Sequence, residues 1–264
     1  MMLNLITKLA KKSLRLIFNK LYGDKSAIYL RAVNDRYRSL SKDLRAKVNY
    51  LNTYDEQILE LHVGSSAKEQ NLLKVKIRLT LTWSFFVETV PQFTESSSIV
   101  DIGAASGLFL KMLGKSGTAV EDWEPALKFL SKQGIETHRP NGSKLPFPDS
   151  KFDYCTALET LEHLPDPLGM LKEMKRISKK GILISIPYRE QTTIVPKKDQ
   201  NIAGQHIFEF SVTDFHKLAS HCGLIVVAER SIHLQDSGSG IESILRRRSK
   251  YHEPSVSLYY LEPV

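Results

Sequence analysis

Hydrophobic and polar positions follow a regular pattern from residue 99 to the end of the chain. Apolar runs of strand length predict strands at 99–101, 118–121, 135–138, 152–158, 179–187, 224–228 and 256–261. Segments with apolar residues at helical spacing lie between them and predict helices at 108–113, 125–132, 170–178 and from Ser211 onward. Strands that alternate with helices in this way predict an α/β fold with a mostly parallel sheet.

The residues before this region have a different pattern. Residues 2–22 place apolar side chains near one helical face with lysines and arginines between them, and so predict a basic amphipathic helix. Residues 25–70 predict polar helices. The segment Lys74–Trp83 alternates strictly between polar and apolar residues, which by periodicity alone is typical of a strand. The apolar segment after it continues without a turn signal, however, so periodicity does not decide this element.

A loop of small residues after the first predicted strand is the most informative part of the chain. The sequence IVDIGAASGLFLK has an apolar run that ends in an acid, then five small residues, then the start of a helix. Such a loop lets a ligand approach the backbone closely. A dinucleotide-binding G-x-G-x-x-G pattern fails, because it needs glycine where the chain has Ala105 and Leu108. The pattern acid-x-Gly-x-Gly-x-Gly is met by Asp101, Gly103 and Gly107, with Ala105 departing in the middle.

A second acid lies in register with this loop. Glu121 follows Asp101 by 20 residues, where a strand–helix–strand unit returns to the same edge of the sheet. A carboxylate at this point can accept hydrogen bonds from both ribose hydroxyls of an adenosine ligand. Asp122 beside it is expected to face solvent at the border of the same site.

These features resemble those of the class I S-adenosylmethionine (SAM)-dependent methyltransferases, and the resemblance covers most of residues 98–230. Its most specific part is the segment LPFPDSKFD, since small-molecule methyltransferases carry a similar segment before the fourth strand. The resemblance implies that Asn141 hydrogen-bonds the adenine amino group. It implies a cofactor site made of Asp101, Gly103, Ala105, Gly107, Glu121, Asp122, Asn141 and Glu159.

The resemblance also implies an architecture. We expect a Rossmann-like, seven-stranded, mostly parallel sheet with helices on both faces, and SAM at the carboxyl ends of the strands near the switch point. Because this family has a helix before its first core strand, a helix is favoured for the segment that begins at Lys74. We expect two parts of the chain, a helical basic N-terminal extension at 1–70 and a methyltransferase domain at 71–264.

A Glu-x-x-Glu-His sequence follows the fourth predicted strand. Glu159, Glu162, His163 and the later His206 are candidate ligands of Mg²⁺, Mn²⁺ or Zn²⁺, since two carboxylates with imidazoles suit a divalent ion. The same pattern occurs in ubiquinone-pathway O-methyltransferases and small-RNA 2′-O-methyltransferases, and the HIFEF segment resembles one in the RNA enzymes. The alternatives are that His163 and His206 are catalytic without a metal, or that the residues only close the pocket.

Charge is distributed unevenly along the chain. Residues 1–50 contain 12 Lys and Arg against 3 Asp and Glu, whereas residues 51–264 contain 25 against 26. The basic N-terminal part is expected to pack on its own domain, or to bind an anionic membrane surface or RNA. No segment approaches the roughly 20 apolar residues of a membrane span. Two isolated cysteines, Cys155 and Cys222, fit a reducing cytoplasm, with or without peripheral attachment to a membrane.

The sequence thus predicts a methyltransferase that acts on oxygen of a small-molecule, saccharide or lipid-linked acceptor. One alternative is an RNA 2′-O-methyltransferase, which the Glu-x-x-Glu-His pattern and the basic N-terminal residues favour. Another is an adaptor that binds the cofactor without catalysis, which the departure at Ala105 leaves open.

Overall fold

The computed structural model describes residues 37–38, 40–51, 69–90, 92–94, 96–114, 117–189, 191–194, 206–232 and 256–264. The helices and strands given below lie within one compact unit, Lys42–Leu234 with Glu253–Val264. The predicted basic helix at 2–22 lies outside the described residues and stays a prediction.

Seven strands form the main sheet of the described residues. They are β1 (Ile99–Ile102), β2 (Thr118–Val120), β3 (Glu136–His138), β4 (Phe152–Leu158), β5 (Ser178–Pro187), β8 (Leu224–Ile232) and β9 (Val256–Pro263), in the spatial order β3-β2-β1-β4-β5-β9-β8. β1 to β5 pair in parallel, and β9 is antiparallel to both of its neighbours. This confirms the predicted seven-stranded, mostly parallel sheet. The order reverses between β1 and β4, where ligands bind in open sheets of this kind.

Helices cover both faces of the sheet. They are α1 (Lys42–Tyr50), α2 (Glu69–Thr89), α3 (Leu108–Met112), α4 (Glu124–Lys132), α5 (Pro167–Ile177) and α6 (Val212–His221). α5 and α6 share a buried core with residues of β4, β5 and β9. α2 reaches the β4 side chain Tyr154 from the other face, where the Phe86 and Tyr154 ring centroids lie 5.8 Å apart.

The ambiguous segment that begins at Lys74 is helical, as the family resemblance implies. Its strict alternation is not a strand signal, because nearly all the described side chains of α2 are buried or partly buried. Val75 and Leu79 pack against residues of α3, while Thr80 and Thr82 are also buried. A helix enclosed in this way has no polar face that would set a period of 3.6 residues. Among the described helices, none combines the length and the apolar character needed to cross a membrane.

α1 belongs structurally with α2. It lies in the part of the chain that the predicted division assigns to the extension, yet both helices are in the same compact unit. The Lys47 ammonium lies 4.4 Å from the Trp83 ring centroid and donates to the Met112 carbonyl oxygen at 3.1 Å. The domain division at residue 70 stays a prediction.

Two short strands form a separate pair that the apolar pattern does not predict. β6 (Thr193–Ile194) and β7 (Phe208–Glu209) are antiparallel and follow the carboxyl end of β5. No strand is predicted for either segment, because two residues are too few to show a strand period. A 3₁₀ turn, Leu161–His163, follows β4 and lies against β7.

Candidate functional site

The loop that joins β1 to α3, residues 103–107 and called the glycine loop below, uses left-handed backbone at three positions. φ is +69° at Gly103, +46° at Ala105 and +66° at Gly107. A Cβ atom at Gly103 would also lie 2.5 Å from Thr160 Oγ1, which leaves no room for a side chain. Ala105 adopts the glycine conformation at a cost of about 1–2 kcal/mol. The departure from glycine at this position therefore does not change the course of the loop.

Glu121 ties the glycine loop to the turn after β2. Its Oε2 accepts the N–H of Ala105 at 2.9 Å, and its Oε1 accepts the N–H groups of Asp122 and Trp123 at 2.9 and 3.0 Å. The side chain is buried at the carboxyl edge of the sheet. The structure thus brings together Glu121 and the glycine loop, two parts of the predicted cofactor site.

Asp101 lies inside the sheet, beneath this loop. It is buried on β1 and accepts a 2.6 Å hydrogen bond from the Thr156 hydroxyl of β4. Burial raises the pKa of Asp101 to about 7, and the neighbouring Glu121 carboxylate adds to that rise, while the Thr156 hydrogen bond opposes it. The protein thus holds Asp101 as a group that titrates near neutral pH.

The predicted residues after β2 and β3 lie at the surface. Asp122 is exposed, as expected, and its carbonyl oxygen accepts from Arg139 Nη1 at 3.1 Å. Asn141 is exposed, and its N–H donates to the Lys144 carbonyl oxygen at 2.9 Å. Trp123, which no sequence motif marks, is 44% exposed directly after Glu121 and Asp122. An aromatic side chain at this border offers a flat apolar surface for a ring of a ligand.

Glu159 lies at the carboxyl end of β4, next to the glycine loop through Thr160. Its φ is +51°, an unfavourable conformation for a side chain of this type. Its carboxylate pairs with the Arg78 guanidinium of α2 at 3.0 Å and accepts from the Ser185 hydroxyl at 3.0 Å. A strained residue held on two sides is typical of a functional position.

Three of the four predicted metal ligands come together, and Glu159 does not join them. Glu162, His163 and His206 can place one ligand atom each within 4.8 Å of one another. The Glu159 carboxylate instead contacts Arg78 and Ser185, and a metal site at the predicted residues stays a prediction. The two imidazole ring centroids lie 4.8 Å apart, and Glu162 Oε1 lies 3.9 Å from His163 Nε2.

Glu162 is the most unusual member of this group. It is fully buried, and neither carboxylate oxygen has a hydrogen-bond partner within the described part of the chain. Burial raises the pKa of Glu162 well above its usual range, and the Glu159 carboxylate raises it further, against the influence of Arg78 and Arg189. A buried carboxyl group of this kind must hold a proton or face a cation.

His206 reaches the group from the segment before β7. The N–H of Ile207 donates to the Glu162 carbonyl oxygen at 2.7 Å, which fixes this segment against the 3₁₀ turn. Burial lowers the pKa of His206, as does the neighbouring His163. Both imidazoles are partly exposed. The group therefore combines a buried carboxyl with two imidazoles that a ligand can reach.

Sequence patterns alone missed three charged residues of the site. Arg78 approaches from α2, Arg189 lies just beyond β5, and Glu209 lies on β7. Arg78 is 81 residues from its partner Glu159, and Arg189 is 20 residues from its partner Glu209. Glu209 lies within the HIFEF segment, but no local pattern marks either pairing.

Comparison with known proteins agrees with this geometry. Residues 77–229, more than half of the chain, match the family model described as a methyltransferase domain. An uncharacterized methyltransferase of Mycobacterium sp. strain JLS is 28% identical over 111 residues, 40% of this chain and 43% of that protein. A tRNA U34 carboxymethyltransferase of Nautilia profundicola is 31% identical over 91 residues, 31% of this chain and 30% of that protein. The matches thus span less than half the length of these relatives.

Solved structures share the fold. The YcgJ protein of Bacillus subtilis superposes with a TM-score of 0.51 at 14% identity, covering 69% of this chain and 98% of that one. The [4+2]-cyclase SpnF superposes with a TM-score of 0.53 at 10% identity, covering 75% and 83%. With the strand order, the glycine loop and the matched family model, these findings establish that the chain belongs to the class I SAM-dependent methyltransferases.

Proposed function

We propose that the protein transfers the methyl group of SAM to a hydroxyl oxygen of a small-molecule, saccharide or lipid-linked acceptor. The observation that carries this proposal is the group of Glu162, His163 and His206. Glu162 and His163 follow the carboxyl end of β4, just after Thr160, which lies against Gly103 of the glycine loop. An alcohol must lose its proton as it attacks, and this group offers the means to remove it. SpnF shares the fold and is described as a [4+2]-cyclase, so the fold alone does not carry the assignment.

The cofactor has complementary groups at both ends of its site. Glu121 supplies carboxylate oxygens for the ribose hydroxyls at the turn after β2. Arg78 and Glu159 offer opposite charges near the glycine loop, which match the carboxylate and the ammonium group at the amino-acid end of SAM. Asn141 is proposed for the adenine amino group. The exposed Trp123 is proposed to lie against the adenine ring.

The residues present also fit a divalent cation. Glu162, His163 and His206 would hold it, and the two unpartnered oxygens of Glu162 support this fit. A bound divalent cation would lower the pKa of an acceptor hydroxyl and orient it. With or without it, the side chains have to place the acceptor oxygen in line with the sulfonium methyl group, since positioning supplies most of the acceleration.

Where no cation is bound, His163 is the candidate base. Its imidazole is partly exposed, and its Nε2 lies 3.9 Å from Glu162 Oε1. The His206 ring lies beside it, with the two ring centroids 4.8 Å apart. An imidazole in its neutral form can accept a proton from an acceptor hydroxyl. The two mechanisms therefore use the same residues.

The test is methyl transfer from labelled SAM to fractionated extracts of small molecules, saccharides, lipid-linked intermediates and RNA. Activity on one of the first three fractions, lost in His163→Ala, is the expected result. Loss with a chelator and recovery with Mg²⁺ or Mn²⁺ would support the cation. Unchanged activity with the chelator would leave His163 as the base. SAM binding with no transfer to any fraction would contradict the proposal and support the adaptor.

RNA 2′-O-methylation is a second candidate. The observation in its favour is the partial match to a protein named as a tRNA U34 carboxymethyltransferase, together with the basic residues of positions 1–50. A basic N-terminal segment suits a phosphate backbone. Labelling confined to the RNA fraction, and lost at high salt, would favour this function over the first.

A further inference from the structure

His163 and Glu209 both lie close to the imidazole of His206. The N–H of Ile207 donates to the Glu162 carbonyl oxygen, which fixes the backbone next to His206. The His163 and His206 ring centroids lie 4.8 Å apart, and His206 Nδ1 lies 3.6 Å from Glu209 Oε1 on β7. Glu209 is therefore the neighbour at the Nδ1 side of this imidazole.

Glu209 is itself fixed by two neighbours. Its Oε1 accepts from Arg189 Nη2 at 2.7 Å, and its Oε2 lies 3.4 Å from the Thr193 hydroxyl on the paired strand β6. Arg189 in turn donates from Nη1 to the Tyr188 carbonyl oxygen at 2.9 Å. The Arg189 guanidinium holds the pKa of Glu209 below its usual range. Glu209 thus presents an ionised, positioned acceptor to His206.

We propose that Glu209 is a positioning residue that selects the tautomer of His206. A carboxylate can only accept, so it favours the proton on Nδ1 and leaves Nε2 free of a proton on the opposite side of the ring. Histidines that serve as ligands or bases are oriented by carboxylates in this manner. A contact of 3.6 Å is long for a hydrogen bond, and contacts of this kind tighten when reactants bind. The inference rests on the proposed function and adds a role for Glu209.

Other charged groups near His206 do not give the same selection. His163, Glu159 and Arg189 also act on this imidazole electrostatically. The Glu159 carboxylate accepts hydrogen bonds from Arg78 and Ser185. Arg189 can only donate, so it cannot accept a hydrogen bond from Nδ1 of His206. The Glu162 carboxylate approaches His163 Nε2 at 3.9 Å, whereas Glu209 Oε1 lies 3.6 Å from His206 Nδ1. Among the described ion pairs, Glu209 is therefore the carboxylate against this nitrogen.

The test compares Glu209→Met with Glu209→Gln by ¹⁵N NMR of labelled histidine. Methionine removes the acceptor, whereas glutamine keeps a carbonyl oxygen without the charge. We expect wild-type His206 to carry its proton on Nδ1, Glu209→Met to shift it towards Nε2, and Glu209→Gln to retain the wild-type tautomer in part. Circular dichroism and thermal melting check that each variant is folded. An unmoved His206 signal in folded Glu209→Met would overturn the proposal.

The chain supplies a matched control. His216 Nε2 lies 2.6 Å from Glu229 Oε2 in an exposed pair between α6 and β8. Glu229→Met should change the His216 signal and leave the His206 signal unchanged. A His206 change in this control would mean that the signal responds to general perturbation, and the assignment to Glu209 would then fail.

A kinetic comparison separates this inference from the proposed function. Once an acceptor is identified, Glu209→Met should lower kcat 10- to 100-fold and change the KM for SAM less than twofold. Glu209→Gln should recover part of the lost kcat. Equal kcat in wild type and Glu209→Met would count against the positioning role. If no variant or wild type transfers a methyl group, the proposed function fails, while the NMR result still decides the role of Glu209.

Discussion

At the scale of single residues, the proposed cofactor site includes Glu121. Its two oxygens accept three backbone N–H groups, and we propose that the same carboxylate binds the ribose hydroxyls. Glu121→Ala should weaken SAM binding by about 1.5–3 kcal/mol, a loss of about 10- to 150-fold in affinity, as measured by calorimetry. Glu136→Ala, at an exposed acid on β3, should leave the affinity unchanged. An unchanged affinity in folded Glu121→Ala would remove Glu121 from the cofactor site.

Asp101 makes stability depend on pH. Its pKa rises from 3.8 to about 7 on folding, because the group is buried. Between these values the folded chain keeps a proton that the unfolded chain releases, so the stability present below about pH 4 is lost as the pH rises to about 7. The loss is no more than about 4 kcal/mol, since each pKa unit corresponds to about 1.4 kcal/mol.

Asp101→Asn keeps the acceptor for Thr156 and removes the titration. Urea unfolding of both proteins at several pH values should therefore show the difference in free energy of unfolding growing in favour of the variant from pH 4 to 7. A difference that does not change with pH would show that Asp101 does not titrate in this range.

At the scale of whole elements, helix α2 contributes a charged side chain to the candidate site. It places Arg78 against Glu159, across 81 residues of sequence. If this pair binds the amino-acid end of SAM, Arg78→Met should lower the affinity for S-adenosylhomocysteine about tenfold. The affinity for 5′-methylthioadenosine, which lacks the amino acid, should stay unchanged. Arg230→Met, which removes another ion pair of the same helix with Glu88, should affect neither ligand. Equal loss for both ligands would place Arg78 outside this role.

Elements also show what the sequence could and could not predict. The order of strands and helices from β1 onward follows from apolar runs, because each run is buried in a sheet that helices cover. α2 needed the family resemblance, since a helix buried on most sides resembles an alternating strand. Glu162, His163 and His206 could be selected from the sequence because they belong to a known pattern. The contacts of Glu159 with Arg78 and Ser185 could not be predicted, since only the fold brings these residues together.

At the scale of the whole molecule, positive charge is concentrated near the N-terminus. The excess of positive charge falls in the first 50 residues, while the rest is close to neutral. Deletion of residues 2–22 should leave SAM affinity intact and reduce binding to anionic vesicles or RNA at low salt. Replacing the lysines and arginines of this segment with glutamine is the matched control, because it keeps the apolar face. Salt-sensitive binding that survives both changes would assign the interaction to another surface.

The position of Trp123 gives the protein a built-in optical reporter. The chain has two tryptophans, and Trp83 lies beneath Lys47 in the contact of α1 with α2, whereas Trp123 is exposed beside Glu121. SAM should therefore change the emission of wild type and Trp83→Phe, and leave that of Trp123→Phe nearly constant. A response that persists in Trp123→Phe would contradict the placement of this ring. If the response depends on Trp123, fluorescence titration can rank cofactor analogues and inhibitors by competition before any acceptor has been identified.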